Sequence, residues 1–349
     1  MNRSARVFLE KLLATPSPSG EESAIQDQCA RRLEKSIPKI RRDVHGNQYY
    51  PLTGFRARRV MLSAHVDEIG LMVQSIDGQG FLKIVPIGGV DSSTLPGQRV
   101  RGARVSGVIG TQATLFRPEA ESKQNATIDK LWVDIGARDK KDAESLIGIG
   151  ETLTLDTPLT WLRNDRIAAR GLDNRIGAFI LTETLLRLAR RNLKVDIIGV
   201  TTVQEEVGLR GARTSGYQTA PDIAINLDVN FATDHPRGDG ERWGETSLSG
   251  GPILARGAGV NPRLLAEFQT VAAKADIPVQ VRAEPTADGT DAGALQLARG
   301  GVAVMDMGIP NRYMHTAVEM VCLHDVEHCI ELLTQWVIQC PAEGDYIIP

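Results

Sequence analysis

The spacing of apolar residues divides the chain into three parts, and the first part contains both a helical and an extended pattern. Residues 5–15 (ARVFLEKLLAT) repeat apolar positions at the spacing of an amphipathic helix. Residues 58–68 (RRVMLSAHVDE) begin as a short apolar run, which indicates a buried strand that ends at His65. The first part, residues 1–70, is therefore predicted to form one helix followed by two strands.

The second part, residues 71–162, has short runs in which apolar or β-branched residues alternate with polar ones and glycines interrupt the pattern. Such runs are typical of a small all-β unit, either a barrel or a sandwich. The clearest of them are residues 80–89 (GFLKIVPIGG), 97–116 (GQRVRGARVSGVIGTQATLF) and 148–156 (GIGETLTLD).

The third part, residues 163–349, alternates helical with extended patterns, which predicts a largely parallel sheet covered by helices. We therefore expect an α/β protein in which residues 1–70 and 163–349 form one domain, with a mostly parallel sheet sandwiched by helices. Residues 71–162 would form a small barrel-like domain inserted into it. In the third part the predicted helices are 174–191, 262–275 and 323–339, and the predicted strands are 194–204, 221–230 and 301–308.

Histidines and carboxylates stand where the predicted strands end. In an open parallel sheet, ligands bind just outside the carboxyl ends of the strands, so these side chains are expected to meet at one edge. Each of them alone has a plain structural explanation, such as a turn or a helix cap, but five coincidences favour a common site. The residues are His65 and Asp67, Glu205 and Glu206, Asp228, His315 after a short loop, and Asp173 directly before a helix.

These residue types predict a pair of metal ions. Histidine and carboxylate ligands without thiolates suit Zn²⁺, Mn²⁺ or Co²⁺, and two ions about 3.5–4 Å apart that share one carboxylate use the set economically. A water between the ions would supply a hydroxide near neutral pH, and one further carboxylate would take its proton. One of Glu205 and Glu206 is therefore expected to bind metal and the other to be the base, with Gly208 allowing the bend.

Composition gives no reason to expect several classes of partner. The 349 residues include 40 basic and 43 acidic side chains, a net charge of −3, so nothing favours nucleic acid or an anionic membrane as a partner. No apolar run is long enough to span a bilayer, and residues 1–22 have the pattern of an amphipathic helix rather than a signal peptide. Four cysteines without a CxxC pair are expected to be free thiols in a reducing cytosol: Cys29, Cys322, Cys329 and Cys340.

Seven segments spread over nearly the whole chain resemble the motifs of the M42 metallo-aminopeptidases, which include glutamyl and deblocking aminopeptidases. They occur in the same order as in that family. The segments are SPSGEE (17–22), SAHVDEIGLMV (63–73), ARGLDNRIG (169–177), TTVQEEVGLRGA (201–212), NLDV (226–229), DGTDAGALQLARGGV (288–302) and NRYMHT (311–316).

The resemblance implies a role for each residue at the predicted edge. One ion would be held by His65, Asp173 and Asp228, and the other by Asp173, Glu206 and His315, with Zn²⁺ as the expected metal and Co²⁺ or Mn²⁺ as alternatives. Glu205 would be the general base, and Asp67 would orient His65 from behind. The β-rich insertion would be a dimerisation domain, and dimers would build hollow tetrahedral dodecamers that admit peptides but not folded proteins.

The chain departs from the family's pattern beside this site. Thr316 and Ala317 stand where Ser or Thr followed by Pro is usual, Cys322 where Asp is usual, and Asn226 where a small apolar residue is commoner. Asn174 follows the expected bridging aspartate, where the family has Asp or Asn. None of these changes removes an expected ligand, although they could shift substrate preference.

A second histidine pattern offers an alternative metal-binding motif. Residues 324–328 (HDVEH) fit the H-x-x-E-H motif of inverted zinc proteases, but few acidic residues remain after it to complete a site. Asp325 and Glu327 suit the positive end of a helix dipole, so an exposed helix N-terminus is expected there. His45 and His235 have no recognisable partners. No dinucleotide, P-loop or G-x-S-x-G pattern is found.

The sequence thus predicts a cytoplasmic two-metal aminopeptidase that hydrolyses N-terminal residues from short peptides by a metal-bridging hydroxide. Thr290 and Asp291 are candidates for lining its substrate pocket. A metal-dependent hydrolase of N-acyl or other amides would use the same ligands, so only a comparison of substrates distinguishes it from an aminopeptidase. A carboxylate glycosidase would work without metal and would survive chelation, and a non-catalytic binding protein on the same scaffold is a further alternative.

Overall fold

The computed structural model describes residues 1–113, 126–286 and 289–348. Residues 114–116 of the predicted β-run and residue 288 of the motif at 288–302 lie outside the described residues.

The helices are α1 (Arg3–Ala14), α2 (Ser23–Leu33), α3 (Lys140–Leu146), α4 (Leu172–Leu188), α5 (Arg210–Thr219), α6 (Gly240–Trp243), α7 (Pro262–Lys274), α8 (Asp291–Gln296) and α9 (Leu323–Gln339). The strands are β1 (Arg41–Arg42), β2 (Gln48–Leu52), β3 (Arg56–His65), β4 (Gly70–Ile76), β5 (Leu82–Ile87), β6 (Arg99–Arg101), β7 (Ser106–Thr111), β8 (Leu131–Asp134), β9 (Thr152–Leu155), β10 (Thr160–Trp161), β11 (Arg166–Ala169), β12 (Val195–Thr202), β13 (Ile223–Phe231), β14 (Ile253–Gly257), β15 (Gln280–Glu284), β16 (Ala303–Asn311) and β17 (Glu319–Cys322).

Among the described residues, the main sheet has eight strands in the order β1-β2-β12-β3-β13-β16-β14-β15. Its four central strands, β12, β3, β13 and β16, run parallel to their neighbours within this group. The flanking strands β2 and β14 run antiparallel to them. The predicted mostly parallel sheet is confirmed, with the antiparallel pairs confined to its outer parts.

Helices cover both faces of this sheet because its central strands are apolar on both sides. Helices α1, α2, α4, α7 and α9 pack with the sheet in the larger hydrophobic core, and α5 and α8 cover the opposite face. In β3, Val60 and Leu62 point into the larger core, whereas Met61 points to the other side, as the alternation of a strand requires. The central strands are thereby fixed between two helical layers.

Six strands of the second part close into a barrel in the order β4-β5-β8-β7-β6-β9, with β9 pairing back to β4. The barrel has its own apolar core, separate from the two cores of the sheet. The predicted small barrel is confirmed, although helix α3 lies within this segment and was not predicted. Helix α2 was also missed, because only three of its eleven residues, Ile25, Cys29 and Leu33, form the buried apolar spacing of a helix.

A small sheet of β10, β11 and β17 ties the region before α4 to the region after β16. Ala169 of β11 lies opposite Glu319 of β17. This pairing brings the start of α4, which carries Asp173, close to the loop that carries His315. No helix among the described residues combines the length and the apolar composition that crossing a bilayer requires.

Candidate metal centre and active site

The carboxyl edge of the central strands gathers most of the residues that the sequence predicted for a site. Strand β3 ends at His65, and β12 ends at Thr202, just before the two adjacent glutamates. Because the central strands are parallel, their carboxyl ends share one edge, and a cleft of about 510 Å³ opens there. The predicted residues that line it are His65, Asp173, Glu205, Glu206, Asp228, Thr290 and His315.

Asp173 lies between two histidines and presents a different oxygen to each. Its Oδ1 is 3.1 Å from Nε2 of His65, and its Oδ2 is 3.2 Å from Nε2 of His315. On the first side Asp228 Oδ1 is 3.5 Å from His65 Nε2, and on the second Glu206 Oε2 is 3.7 Å from His315 Nε2. Within each resulting group of three residues, the candidate ligand atoms all lie within 4.8 Å of one another. The two groups share Asp173, which is the arrangement that two bridged ions require.

Asp67 lies behind this centre rather than in the cleft. The backbone carbonyl of Asp67 is 3.1 Å from His65 Nδ1, which leaves Nε2 directed toward the other carboxylates. The Asp67 carboxylate accepts a hydrogen bond from the Ser19 hydroxyl at 2.7 Å. It also accepts the backbone N–H groups of Glu205 at 3.0 Å and of Glu206 at 3.2 Å. Asp67 therefore holds both the histidine and the turn with the two glutamates.

The turn between β12 and α5 brings the two glutamates to the same cleft. Its conformation uses left-handed backbone angles at Gln204, Gly208 and Leu209, with φ values of 56°, 113° and 58°. The carbonyl of Glu205 accepts the N–H groups of Gly208 at 3.0 Å and of Leu209 at 2.9 Å. Because the strand has already ended, Glu205 and Glu206 are not forced to opposite faces.

The charges of the cleft are unequal, with more buried carboxylates than cationic groups. Burial, together with the charge of Asp173, raises the pKa of Glu206 well above its ordinary value. Burial also raises the pKa of Glu205, and the charge of Asp228 adds to that effect although His65 opposes it. Conversely, burial alone would lower the pKa of His65, but Asp228 and Glu205 raise it. The site is thus built to attract positive charge.

The two candidates for the substrate pocket differ in position. Thr290 lines the cleft, and its hydroxyl donates to Asp306 Oδ2 at 3.1 Å. Asp291 is buried at the start of α8, where Oδ2 accepts a hydrogen bond from the Thr202 hydroxyl. The structure therefore places Thr290 where it can meet a ligand and Asp291 beneath the cleft.

Glu319 is a buried residue of this region that the sequence pattern did not single out. Its Oε2 accepts the backbone N–H of Asp173 at 2.8 Å, and its Oε1 accepts that of His315 at 3.0 Å. Burial and the charge of Asp173 raise its pKa to about 8. The only sequence signal was a single glutamate inside the apolar run VEMVC, four residues after His315.

A buried charge cluster beside the site was also missed. Glu68 pairs with Arg170 and Arg175, and all three side chains are almost completely inaccessible. Arg175 also donates to the carbonyl of Thr15 at 2.8 Å and to the hydroxyl of Ser17 at 2.9 Å. The cluster thus connects the chain before α2, the link between β3 and β4, and the start of α4.

The expectation that residues 324–328 form an exposed helix N-terminus is partly wrong. They do start helix α9, and His324 is exposed, 3.5 Å from Asp165. Asp325, however, is buried. Its carboxylate is satisfied there, since it accepts the backbone N–H groups of Ser249 at 2.7 Å and Gly251 at 2.8 Å. Within the described part of the chain, neither of the two groups of candidate metal ligands includes these histidines, His45 or His235.

Comparisons with known proteins agree with this geometry. A family model described as M42 glutamyl aminopeptidase matches residues 46–332. The chain is 37% identical over 334 residues to lysyl aminopeptidase of Pyrococcus furiosus, covering 93% of this chain and 94% of that protein. Its fold superposes with a TM-score of 0.91 on a TET aminopeptidase from a marine sediment archaeon of the Thaumarchaeota, at 30% identity and 97% coverage of each chain. The TM-score with the TET1 peptidase of Pyrococcus horikoshii is 0.86, at 27% identity, covering 96% of this chain and 99% of that one.

Proposed function

Because the chain belongs to the M42 family of aminopeptidases and is a hydrolase of peptide bonds, we propose that it uses two divalent ions and Glu205 as general base. The observation that carries this proposal is the position of Asp173 between two histidines, each with a carboxylate of its own. The proposed substrates are short peptides with a free amino terminus.

The residues present fit two divalent ions. Imidazole nitrogens and carboxylate oxygens suit Zn²⁺ and also Co²⁺ and Mn²⁺, and we propose Zn²⁺ as the working metal. Glu206 Oε1 is buried without a hydrogen-bond partner in the described structure, and a buried carboxylate oxygen of this kind needs compensation. Two cations would also offset the burial and the repulsion between carboxylates that raise the pKa of Glu205 and Glu206.

In the proposed mechanism, His65, Asp173 and Asp228 hold one ion, and Asp173, Glu206 and His315 hold the other. When bound, such ions polarise a carbonyl oxygen and lower the pKa of a water. Glu205 lines the same cleft, and its Oε2 is 3.9 Å from His65 Nε2. The Glu205 carboxylate takes a proton from the attacking water as the new carbon–oxygen bond forms. It then gives that proton to the leaving amine as the carbon–nitrogen bond breaks.

Asp67 has a positioning role in this proposal. Its backbone carbonyl fixes the ring of His65, and its carboxylate fixes the backbone of Glu205 and Glu206. One residue therefore sets the distance between a metal ligand and the base. We also propose that Thr290 contacts the substrate, because it lines the cleft, and that Asp291 acts from below.

We further propose that this chain self-associates through the barrel. Residues 71–162 would be the inserted dimerisation domain, and residues 1–70 with 163–349 the catalytic domain. The TET1 peptidase of Pyrococcus horikoshii can assemble into a tetrahedron or a large octahedral shell, which supports a tetrahedral dodecamer here. Light scattering after size-exclusion chromatography tests this part, and a purely monomeric protein would contradict it.

The test of the activity is hydrolysis of a panel of aminoacyl-p-nitroanilides, each with a free and an acetylated amine. Each substrate is tested with Zn²⁺, Co²⁺, Mn²⁺ or chelator. Metal-dependent cleavage of the free-amine set alone is the expected result, and the same panel shows which side chain is preferred. Turnover of the acetylated set alone would instead indicate an N-acyl amide hydrolase on the same scaffold. No turnover with two ions bound would indicate a binding protein.

A further inference from the structure

The inserted barrel reaches the centre at two adjacent glycines that follow β5. The carbonyl oxygen of Gly89 is 3.0 Å from Nδ1 of His315. A Cβ on Gly89 would lie 2.8 Å from that same nitrogen, and a Cβ on Gly88 would lie 3.2 Å from Glu206 Oε2. Gly88 therefore lies close to Glu206 and Gly89 close to His315, and an added Cβ would crowd both side chains.

The loop that carries His315 depends on the barrel for a second contact. Ala317, two residues further on, is 4% exposed and packs in the apolar core of the barrel. The side chain of His315 is itself 33% exposed, compared with 2% for His65, and its backbone has a φ of 61°. A histidine in such a loop needs neighbours to fix its ring, and the barrel supplies them.

The other group takes its support from the α/β domain. His65 is the last residue of a central strand, and its Nδ1 faces the carbonyl of Asp67 at 3.1 Å. Asp228 lies within β13, and its Oδ1 accepts the backbone N–H of Val229 at 2.8 Å. These contacts of the first group come from the α/β domain, whereas in the second group the barrel also lies against Glu206 and the ring of His315.

We propose that Gly88 and Gly89 are positioning residues by which the barrel sets the affinity of the ion held by Asp173, Glu206 and His315. A carbonyl oxygen can only accept, so Gly89 requires the hydrogen on Nδ1 of His315 and leaves Nε2 free as a ligand. Hydrogen bonds of this kind commonly orient ligating histidines. The inference rests on the proposed two-ion site and adds that the barrel completes one half of it.

The test is Gly89→Ala, with Gly78→Ala as the matched control in the same barrel. An added Cβ at Gly78 meets no atom within 4 Å, so that variant is expected to bind both ions as the unmodified protein does. Gly89→Ala is expected to bind one ion about 10–100-fold more weakly, the usual effect of losing such a supporting contact, and the other ion unchanged. Zinc content is measured by elemental analysis after dialysis against graded free Zn²⁺, and the visible spectrum of the Co²⁺-loaded protein reports the coordination.

A double variant separates an effect through His315 from a general disturbance. In a His315→Ala background, Gly89→Ala is expected to leave the affinity of the remaining ion unchanged, because the imidazole that Gly89 positions is absent. A further loss in that background would overturn the inference. So would a folded Gly89→Ala protein that binds both ions as tightly as Gly78→Ala.

If Gly89→Ala does not fold, Ala317→Gly provides the decisive measurement. The Ala317 side chain packs in the apolar core of the barrel, so its loss loosens the contact between the barrel and the loop that carries His315 without adding an atom beside that histidine. Weakening of one ion alone is expected, and unchanged binding of both would overturn the inference. The unmodified protein is titrated first, since fewer than two bound ions there would overturn the proposed function and this inference with it.

Discussion

Asp173 is the residue on which the geometry of the centre depends. Its Oδ1 faces His65 and its Oδ2 faces His315, and hydrogen bonds from these two histidines outweigh burial and lower its pKa well below the ordinary range. A carboxylate that stays ionised while it touches two imidazoles suits a bridge between cations. Its backbone is fixed as well, because Glu319 accepts its N–H.

Replacement of Glu205 by Gln tests the assignment of the base. The amide has nearly the same shape but cannot take a proton, so turnover is expected to fall about 10²–10⁴-fold, the usual contribution of a general base. Both ions are expected to remain bound, because Glu205 is not assigned as a ligand. Steady-state kinetics of the metal-loaded variant measures the loss, and unchanged turnover would rule the assignment out.

Glu206→Gln is the neighbouring substitution with a different expected outcome. An amide oxygen is a weaker ligand than a carboxylate, so this variant is expected to bind less metal at limiting Zn²⁺ than Glu205→Gln does. Elemental analysis of both proteins after the same dialysis makes the comparison. Equal metal contents would mean that the two glutamates do not divide the roles of base and ligand.

At the scale of secondary structure, the turn between β12 and α5 decides where both glutamates point. Gly208 has a φ of 113°, in a region that L-residues rarely adopt, and a Cβ there would meet no neighbouring atom. Its substitution therefore acts through the backbone alone, with a cost of more than about 1 kcal/mol if the turn keeps its conformation. The turn can relieve this strain by shifting its backbone, which also carries Glu205 and Glu206.

Gly208→Ala is accordingly expected to lower kcat/KM by up to about 10²-fold, since small displacements of catalytic groups have effects of that size. Gly300→Ala is the control, because its Cβ also meets no atom and its backbone angle is an ordinary one. Kinetics and thermal unfolding of both variants are measured together. Full activity of Gly208→Ala would show that the turn tolerates the change without moving its glutamates.

At the scale of the whole molecule, the cluster of Glu68, Arg170 and Arg175 connects segments that are distant in sequence. Burial alone would raise the pKa of Glu68, but the two arginines lower it from 4.5 to about 2. Because this pKa is lower in the folded than in the unfolded chain, the carboxylate stabilises the fold fully above about pH 4.5. That contribution is lost as the pH falls toward 2.

Glu68→Gln is expected to lower the free energy of unfolding at pH 7 by about 3–5 kcal/mol, because two buried arginines lose their counter-charge. The difference from the unmodified protein should narrow as the pH falls below 4.5. Urea unfolding at fixed protein concentration and several pH values measures both effects. As a surface control, Glu151→Gln removes the exposed pair with Arg104 and should cost less than about 1 kcal/mol. A pH-independent difference for Glu68→Gln would contradict the assigned pKa.

The sequence by itself determined the division into a barrel and an α/β part and the edge at which chemistry could occur. The spacing of the apolar residues separated the barrel from the α/β part. A strand with one buried face buries every second residue, whereas a helix buries every third or fourth residue. The same patterns marked where β3 and β12 end, and therefore which polar residues follow them. Helix α2 was missed since its pattern was too sparse to register.

Only the tertiary structure decided how these residues pair. Asp173 faces two histidines that lie far before and after it in the chain, and Glu68 finds both of its arginines more than a hundred residues away. His315 meets the carbonyl of Gly89 across 226 residues of sequence. Such contacts depend on how helices and strands pack together, whereas the periodicity of a segment reports only its own buried face. For that reason the sequence could identify candidate ligands, but only the fold could show that the barrel contacts one of them.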